Sequence, residues 1–207
     1  EGVDIVCLAE GELLLEELAD CLDKKQSYAH IKGFWVKTSQ GIIKNPMPQA
    51  VLDLDKMPFH DRLLYDKYFY FRNSKYLRFS CGRGCPYRCA FCTNAFLADH
   101  FGVKNYVRKR NPVLLIKELE YLVKTRDPKH ISFIDEVLWV DNDWLRNFLL
   151  LYKEKINVPF TANFRWGKGF TEDDLKLLKD SGLKALIIAV ESADEKQRMG
   201  LLNKPVT

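Results

Sequence analysis

Hydrophobic and polar positions along this chain alternate between the strand period and the helix period. Val3–Ala9 reads as a buried strand, and Leu13–Leu22 as a helix with Leu14, Leu18, Cys21 and Leu22 on one face. Ile31–Lys37 and Gly41–Lys44 predict a small hairpin closed by Thr38-Ser39-Gln40-Gly41. From Tyr76 onward strands and helices take turns, with strands at Tyr76–Ser80, His130–Ile134, Phe160–Phe164 and Leu183–Val190. Asn111-Pro112 is a helix start, a cap followed by proline at the first helical position, and Ile116, Leu119 and Val123 mark its buried stripe. Asp141 caps the next helix, whose Trp144, Leu145, Phe148 and Tyr152 face inward. Thr171 caps a third, with Asp174 completing an imperfect capping box and Gly182 ending it. The last strand is almost wholly apolar, as expected of a parallel strand covered on both faces. Repeated βα units imply a parallel sheet or barrel, and four of them are too few to close one.

Between these two patterns, Asn45–Arg72 obeys neither period. It carries Pro46, Pro48 and Pro58, an acidic Asp53-Leu54-Asp55, and the aromatic run Tyr65–Phe71, whose rings read as linker packing. The chain of 207 residues thus divides into an α/β segment over 1–45, a linker over 46–70 and a βα array over 71–207. It opens on a strand-like Gly2-Val3-Asp4-Ile5-Val6 and stops at Lys204-Pro205-Val206-Thr207, so it reads as an internal fragment. Lys and Arg number 32 against 28 Asp and Glu, a net charge of +4, with no basic run to mark a nucleic-acid or membrane surface. No apolar run approaches the ~20 residues of a membrane helix.

Six cysteines change the picture, because four of them fall between Cys81 and Cys92. An even spread would place about a third of one cysteine in that window. Nothing suggests secretion, so a metal or redox site explains them better than a disulfide staple. Gly82, Gly84 and Pro86 shape the loop, and thiolates this crowded can wrap an iron–sulfur cluster. Two arrangements compete. Four cysteines could close a site for structural zinc or a fully ligated cluster, or Cys85, Cys89 and Cys92 could hold three irons of a [4Fe–4S] cube and leave the fourth open. The C-x-x-x-C-x-x-C spacing, with an aromatic before the last cysteine and no second separated pair, favours the latter and makes Cys81 a spare thiol. Cys7 and Cys21 fit as small buried hydrophobes, and His30, His60, His100 and His130 show no metal-ligand spacing.

Cys85-Pro-Tyr-Arg-Cys89-Ala-Phe91-Cys92 resembles the signature of the radical SAM superfamily. The resemblance implies that Cys85, Cys89 and Cys92 hold a [4Fe–4S] cluster whose unique iron is chelated by S-adenosylmethionine. It implies reductive cleavage of that sulfonium to a 5′-deoxyadenosyl radical, with Phe91 near the adenine. In similar proteins the positions after the second and fourth strands contact S-adenosylmethionine, which here points to Glu136, Glu191 and Ser192. The usual Gly-Gly-Glu after the second strand is replaced by Ile134-Asp135-Glu136. Arg165, after the third strand, would bind the carboxylate. Independently, chemistry in βα barrels gathers at the C-terminal strand ends, where all of these lie. Each also has a plainer role: Asp135 bonding loop amides, Arg165 in an ordinary ion pair, Glu191 and Ser192 capping the following turn, Tyr87 packing the loop.

The order of parts narrows the resemblance. Val3-Asp4-Ile5-Val6, then Glu10-Gly11-Glu12 and an amphipathic helix, is similar to the end of the cobalamin-binding domain that precedes many radical SAM domains. The Leu52-Asp53-Leu54-Asp55-Lys56-Met57-Pro58 linker and Val190-Glu191-Ser192 are typical of the same group. The fold implied is a partial TIM-type (β/α) barrel preceded by the C-terminal tail of a Rossmann-like cobalamin-binding-type domain. Cobalamin would belong to a longer parent, since the Asp-x-His-x-x-Gly ligand loop has no match in this chain. With a corrinoid present, radical methyl transfer to an unreactive carbon is the implied outcome, on a small-molecule substrate, in the cytoplasm, with a flavodoxin or ferredoxin as electron donor. The alternatives are a methylthiotransferase-like radical SAM enzyme and a non-enzymatic four-cysteine iron–sulfur or zinc module.

Overall fold

The computed structural model describes residues 2–102, 106–139, 141–165 and 171–204. The chain divides into two compact units, one of Glu1–Leu52 with Phe101–Val103, the other of Asp53–His100 with Lys104–Thr207.

In the first unit, strands β1 (Ile5–Cys7), β2 (Phe34–Thr38) and β3 (Gly41–Lys44) form an antiparallel sheet in that order, with helix α1 (Gly11–Asp23) following β1. The hairpin pairs Thr38 with Gly41, as its sequence predicts. Leu14 and Cys21 of α1 bury against Ile31, Phe34 and Val36, with Leu18 partly covered. Three expectations are corrected. β1 spans three residues, not seven, and is half-buried to exposed, because α1 covers only one face of the sheet. Cys7 is therefore exposed, and Leu22, one position past the stripe, faces solvent.

The second unit opens on the segment through helix α2 (Phe69–Asn73), whose Tyr65, Tyr68, Tyr70 and Phe71 pack on one another and stay largely exposed. Strand β4 (Tyr76–Phe79) leads into a two-residue ladder, β5 (Gly82–Arg83) paired antiparallel with β6 (Arg108–Lys109), and helix α3 (Thr93–His100) lies between them. Helix α4 (Pro112–Arg126), strand β7 (His130–Phe133), helix α5 (Asn142–Lys155), strand β8 (Phe160–Phe164), helix α6 (Glu172–Asp180) and strand β9 (Leu183–Ile188) complete it. All four long strands are parallel and lie in chain order, β4-β7-β8-β9. Sequential neighbours joined by helical crossovers wind in one sense, as in a barrel, and this is an open, partial (β/α) barrel.

Caps start the helices where the sequence places them. The Asn111 side chain accepts from the Val113 N–H with Pro112 at the first position, and the Asp141 carboxylate accepts from the Trp144 N–H at 2.6 Å. The core lies on the helix side of the sheet, where Leu77, Phe79, Ile131, Phe133, Phe160 and Ala162 meet Leu115, Leu119, Leu145, Phe148 and Tyr152. Phe133 sits at its centre, edge-on to Phe79, Phe148, Tyr152 and Phe160. Its alternate residues Arg78, Ser132, Thr161 and Asn163 form the polar inner face. The expectation that the fourth strand is covered on both faces is corrected. β9 is an edge strand among the described residues, and Ile187 is 53% exposed.

Thr171 and Asp174 form a reciprocal capping box, each bonding the other's backbone N–H. Burial resists the charge on Asp174, but Arg146 at 2.8 Å and the Thr171 bonds hold its carboxyl below the usual range. Thr171→Ala should lower stability by about 0.5–2 kcal/mol in urea unfolding. The folded pKa is depressed, so the Asp174 contribution is complete above about pH 4 and fades as pH falls through the folded value. The stability gap between wild type and Asp174→Ala should therefore narrow in acid.

Candidate metal centre at the strand ends

The cysteine loop hangs from the C-terminal end of β4 and is held at its base by backbone geometry. β5 pairs with β6 immediately after Cys81, and Gly84 takes a φ of +85°, where a Cβ would fall 1.5 Å from the Tyr106 carbonyl oxygen. No side chain fits there. Gly84→Ala should therefore lose iron uptake while α4 and α5 keep their helical circular dichroism, which separates a loop defect from unfolding.

Asp135, two residues past β7, fastens the loop to the sheet. Its carboxylate accepts from the Cys81 N–H at 2.8 Å and from Lys109 Nζ at 2.7 Å, both inside a pair almost sealed from solvent. Asn163 Nδ2 donates to the Asp135 carbonyl at 2.9 Å. Asp135 thus takes its plainer role, bonding a loop amide. Cys81 is fully buried within the apolar core, and burial pushes its thiol well up, with Asp135 adding to that. It packs as a member of the apolar core cluster.

The other three cysteines are free thiols further along the loop, Cys85 and Cys92 half-buried and Cys89 buried. Burial pushes the Cys85 thiol up; the Tyr87 backbone bond opposes this, and Cys92, Cys89 and Glu136 add to it. Arg165, directly after β8 and buried, donates to Cys89 Sγ at 3.2 Å, and its guanidinium stacks 3.7 Å over the Tyr87 ring. Asn94 Nδ2 lies 3.7 Å from Cys92 Sγ. Among the described residues no three His, Cys, Asp or Glu side chains converge closely enough to hold one metal ion, so the loop is not a ready-made single-ion site. Thiol donors spread around a loop, with cationic and amide donors aimed at two of the sulfurs, fit a multi-iron cluster, whose net negative charge such donors offset. Arg165→Met should make such a cluster harder to reduce, seen as a more negative midpoint in an electrochemical titration at unchanged iron content.

At the end of the fourth strand, Glu191 adopts a left-handed φ of +68° and accepts from Lys204 Nζ at 2.9 Å. Ser192 accepts from the Asp194 N–H and lies within 3.4 Å of Gln197, so its hydroxyl shapes the turn, while Asp194 caps the helical turn at Gln197–Leu201. Phe91 is exposed, its ring 6.0 Å from Lys204 Nζ. The structure thus joins Cys89 with Arg165, and Phe91 with Glu191 through Lys204, while Glu136 lies exposed after β7. Sequence reading missed Lys204, Asn203 and Asn94. The first two lie beyond the last predicted element and carry no motif.

A cavity of about 780 Å³ opens at the other end of the strands, lined by Arg62, Tyr65, Arg78, Arg126, His130 and Thr161 among others, and it contains none of the thiols. Among the described residues no helix is long and apolar enough to cross a membrane.

A model of the radical SAM superfamily matches residues 79–206. The uncharacterized methyltransferase PH0819 of Pyrococcus horikoshii is 27% identical over 197 residues, covering 92% of this chain and 41% of that protein. A GTP 3',8-cyclase of Campylobacter jejuni is 30% identical over 140 residues, 65% of this chain and 40% of that one. Among solved structures, the radical S-adenosylmethionine methyltransferase TsrM from Kitasatospora setae, with cobalamin and a [4Fe-4S] cluster bound, aligns with a TM-score of 0.71 at 16% identity, over 96% of this chain and 40% of that chain. The cobalamin-dependent S-adenosylmethionine radical enzyme OxsB, with aqua-cobalamin and S-adenosylmethionine bound, aligns with a TM-score of 0.73 at 20% identity, over 98% and 30%. At these identities the two structures establish the fold, and the chain spans about two fifths of the length of the curated relatives it matches.

Proposed function

The chain belongs to the radical SAM superfamily, and we propose that it supplies the cluster-binding and S-adenosylmethionine-binding portion of an enzyme that transfers a methyl group to an unreactive carbon. The observation that carries this is the loop at the end of β4, with three free thiols within eight residues and a buried guanidinium on the middle one. Cys85, Cys89 and Cys92 would hold a [4Fe–4S] cluster. When bound, that cluster supplies the electron that cleaves the sulfonium of S-adenosylmethionine to methionine and a 5′-deoxyadenosyl radical.

The protein's own groups have separable tasks in this reading. Arg165 balances the charge at the Cys89 sulfur and brings a cation to the carboxylate of S-adenosylmethionine. Glu136, after β7, receives its ammonium. Glu191 and Ser192 face the ribose, and the Phe91 ring lies against the adenine. Asp135, Lys109 and Gly84 fix the loop from which the thiols project.

Methyl transfer rests on likeness to PH0819, TsrM and OxsB, and with it comes the proposal that residues 1–45 close a cobalamin-binding-type domain, 46–70 link it, and 71–207 begin the barrel. A small-molecule substrate, a flavodoxin or ferredoxin as electron donor, and a cytoplasmic setting complete the proposal.

Anaerobic reconstitution with iron and sulfide tests it, followed by electron paramagnetic resonance of the reduced protein with and without S-adenosylmethionine. The expected result is about four irons per chain and a spectrum that changes when the nucleoside is added. Zinc uptake without a cluster would overturn it.

A further inference from the structure

Residues Leu202–Lys204 reach both sides of the candidate site at once. The Leu202 carbonyl accepts from the Ala90 N–H at 2.9 Å, between Cys89 and Phe91. Asn203 Nδ2 donates to the Arg88 carbonyl at 2.8 Å. Lys204 Nζ donates to Glu191 Oε1 at 2.9 Å and sits 6.0 Å from the centroid of the Phe91 ring, at the outer range of a cation–π contact. Lys204 is only 8% exposed, unusual for a lysine, and its charge is answered by the Glu191 carboxylate. Both Glu191 and Asn203 hold left-handed backbone, at φ +68° and +47°. Non-glycine residues keep that conformation where surrounding contacts over-determine it, and such positions cluster at ligand clamps.

We propose that Lys204 is a positioning residue that ties the cluster loop to the end of the fourth strand, fixing Glu191 and Phe91 relative to one another for S-adenosylmethionine. The inference rests on reading Glu191 and Phe91 as contacts of that molecule. By taking Oε1, Lys204 orients the carboxylate so that Oε2 accepts from a ribose hydroxyl. The same ammonium lies beside the ring that would meet the adenine. Two parts of one ligand are thereby addressed through a single cation, from two elements about a hundred residues apart in the chain.

Lys204→Met, Lys204→Arg, Glu191→Gln and the double variant Lys204→Met/Glu191→Gln test this on reconstituted protein. Three quantities are read: iron and sulfide content, the resonance of the reduced cluster without S-adenosylmethionine, and S-adenosylmethionine affinity by equilibrium dialysis. Lys204→Met should keep the cluster and its spectrum while its dissociation constant rises about 10- to 100-fold, the range for a lost charged hydrogen bond. Lys204→Arg should recover most of that affinity. The double variant should bind no more weakly than the weaker single variant, because both changes remove one arrangement. Unchanged affinity in Lys204→Met, additive losses in the double variant, or loss of iron in both Lys204 variants would each overturn the proposal, the last by making the residue a plain structural tether. If Glu191→Gln leaves affinity intact, the reading of Glu191 itself falls. If Glu191→Gln weakens binding and Lys204→Met does not, only the coupling falls.

Discussion

Cys85→Ala, Cys89→Ala and Cys92→Ala are each expected to reduce 5′-deoxyadenosine formation to background, whereas Cys81→Ala keeps the full iron complement. The four thiols share a twelve-residue window, but the fold sorts them. Cys81 packs in the apolar core at 0% exposure, and burial pushes its thiol well up. To serve as a ligand, the Cys81 side chain would have to leave the core cluster in which it packs. The other three lie beyond the β5 ladder, where donors approach two of the sulfurs. Cys81→Ala should cost roughly 1 kcal/mol of stability, from a small cavity. Iron analysis and chromatography of cleavage products decide the matter. Cleavage retained in any of the three alanine variants would sink the ligand assignment, and iron lost from a folded Cys81→Ala would restore the four-cysteine alternative.

The second large effect is on folding. Lys109→Ala should destabilise the barrel unit by about 3–5 kcal/mol in urea unfolding, because it strands the Asp135 carboxylate in a sealed site. Lys109 also donates to the Val137 carbonyl at 3.2 Å, so the loss reaches the segment after β7. The paired replacement Lys109→Met with Asp135→Leu removes both charges and should recover part of the loss, although the Cys81 N–H then goes unpaired. Equal destabilisation by the single and the paired change would show that hydrogen bonding to the loop, not burial of a lone charge, carries the cost.

These two predictions separate what sequence reveals from what it hides. Asn111-Pro112, Asp141 and Thr171 with Asp174 announce their helices because a cap and its target lie within three residues, a range at which chain chemistry is decided locally. The cysteine spacing is local in the same way. Burial is not local, and there the expectations for β1, Cys7 and β9 fail: an apolar run looks the same whether or not a second layer covers it. In sequence, Asp135 fits a strand-end ligand contact and a loop anchor equally well. Its partners, 54 and 26 residues away, decide for the anchor. Lys204 was invisible because its meaning depends on Glu191 adopting a left-handed backbone and on Phe91 arriving from another element.

Among the described residues the sheet of the second unit runs β4-β7-β8-β9, and its two outermost strands each offer one row of backbone groups to whatever lies alongside. β9 is the more inviting of the two, six residues long and largely hydrophobic. When this chain is produced by itself, its self-association should therefore grow with protein concentration and persist at high salt, since backbone pairing and apolar contact are barely screened. An oligomer seen under those conditions reports on a sticky strand border, and says little about how many copies act together in a cell.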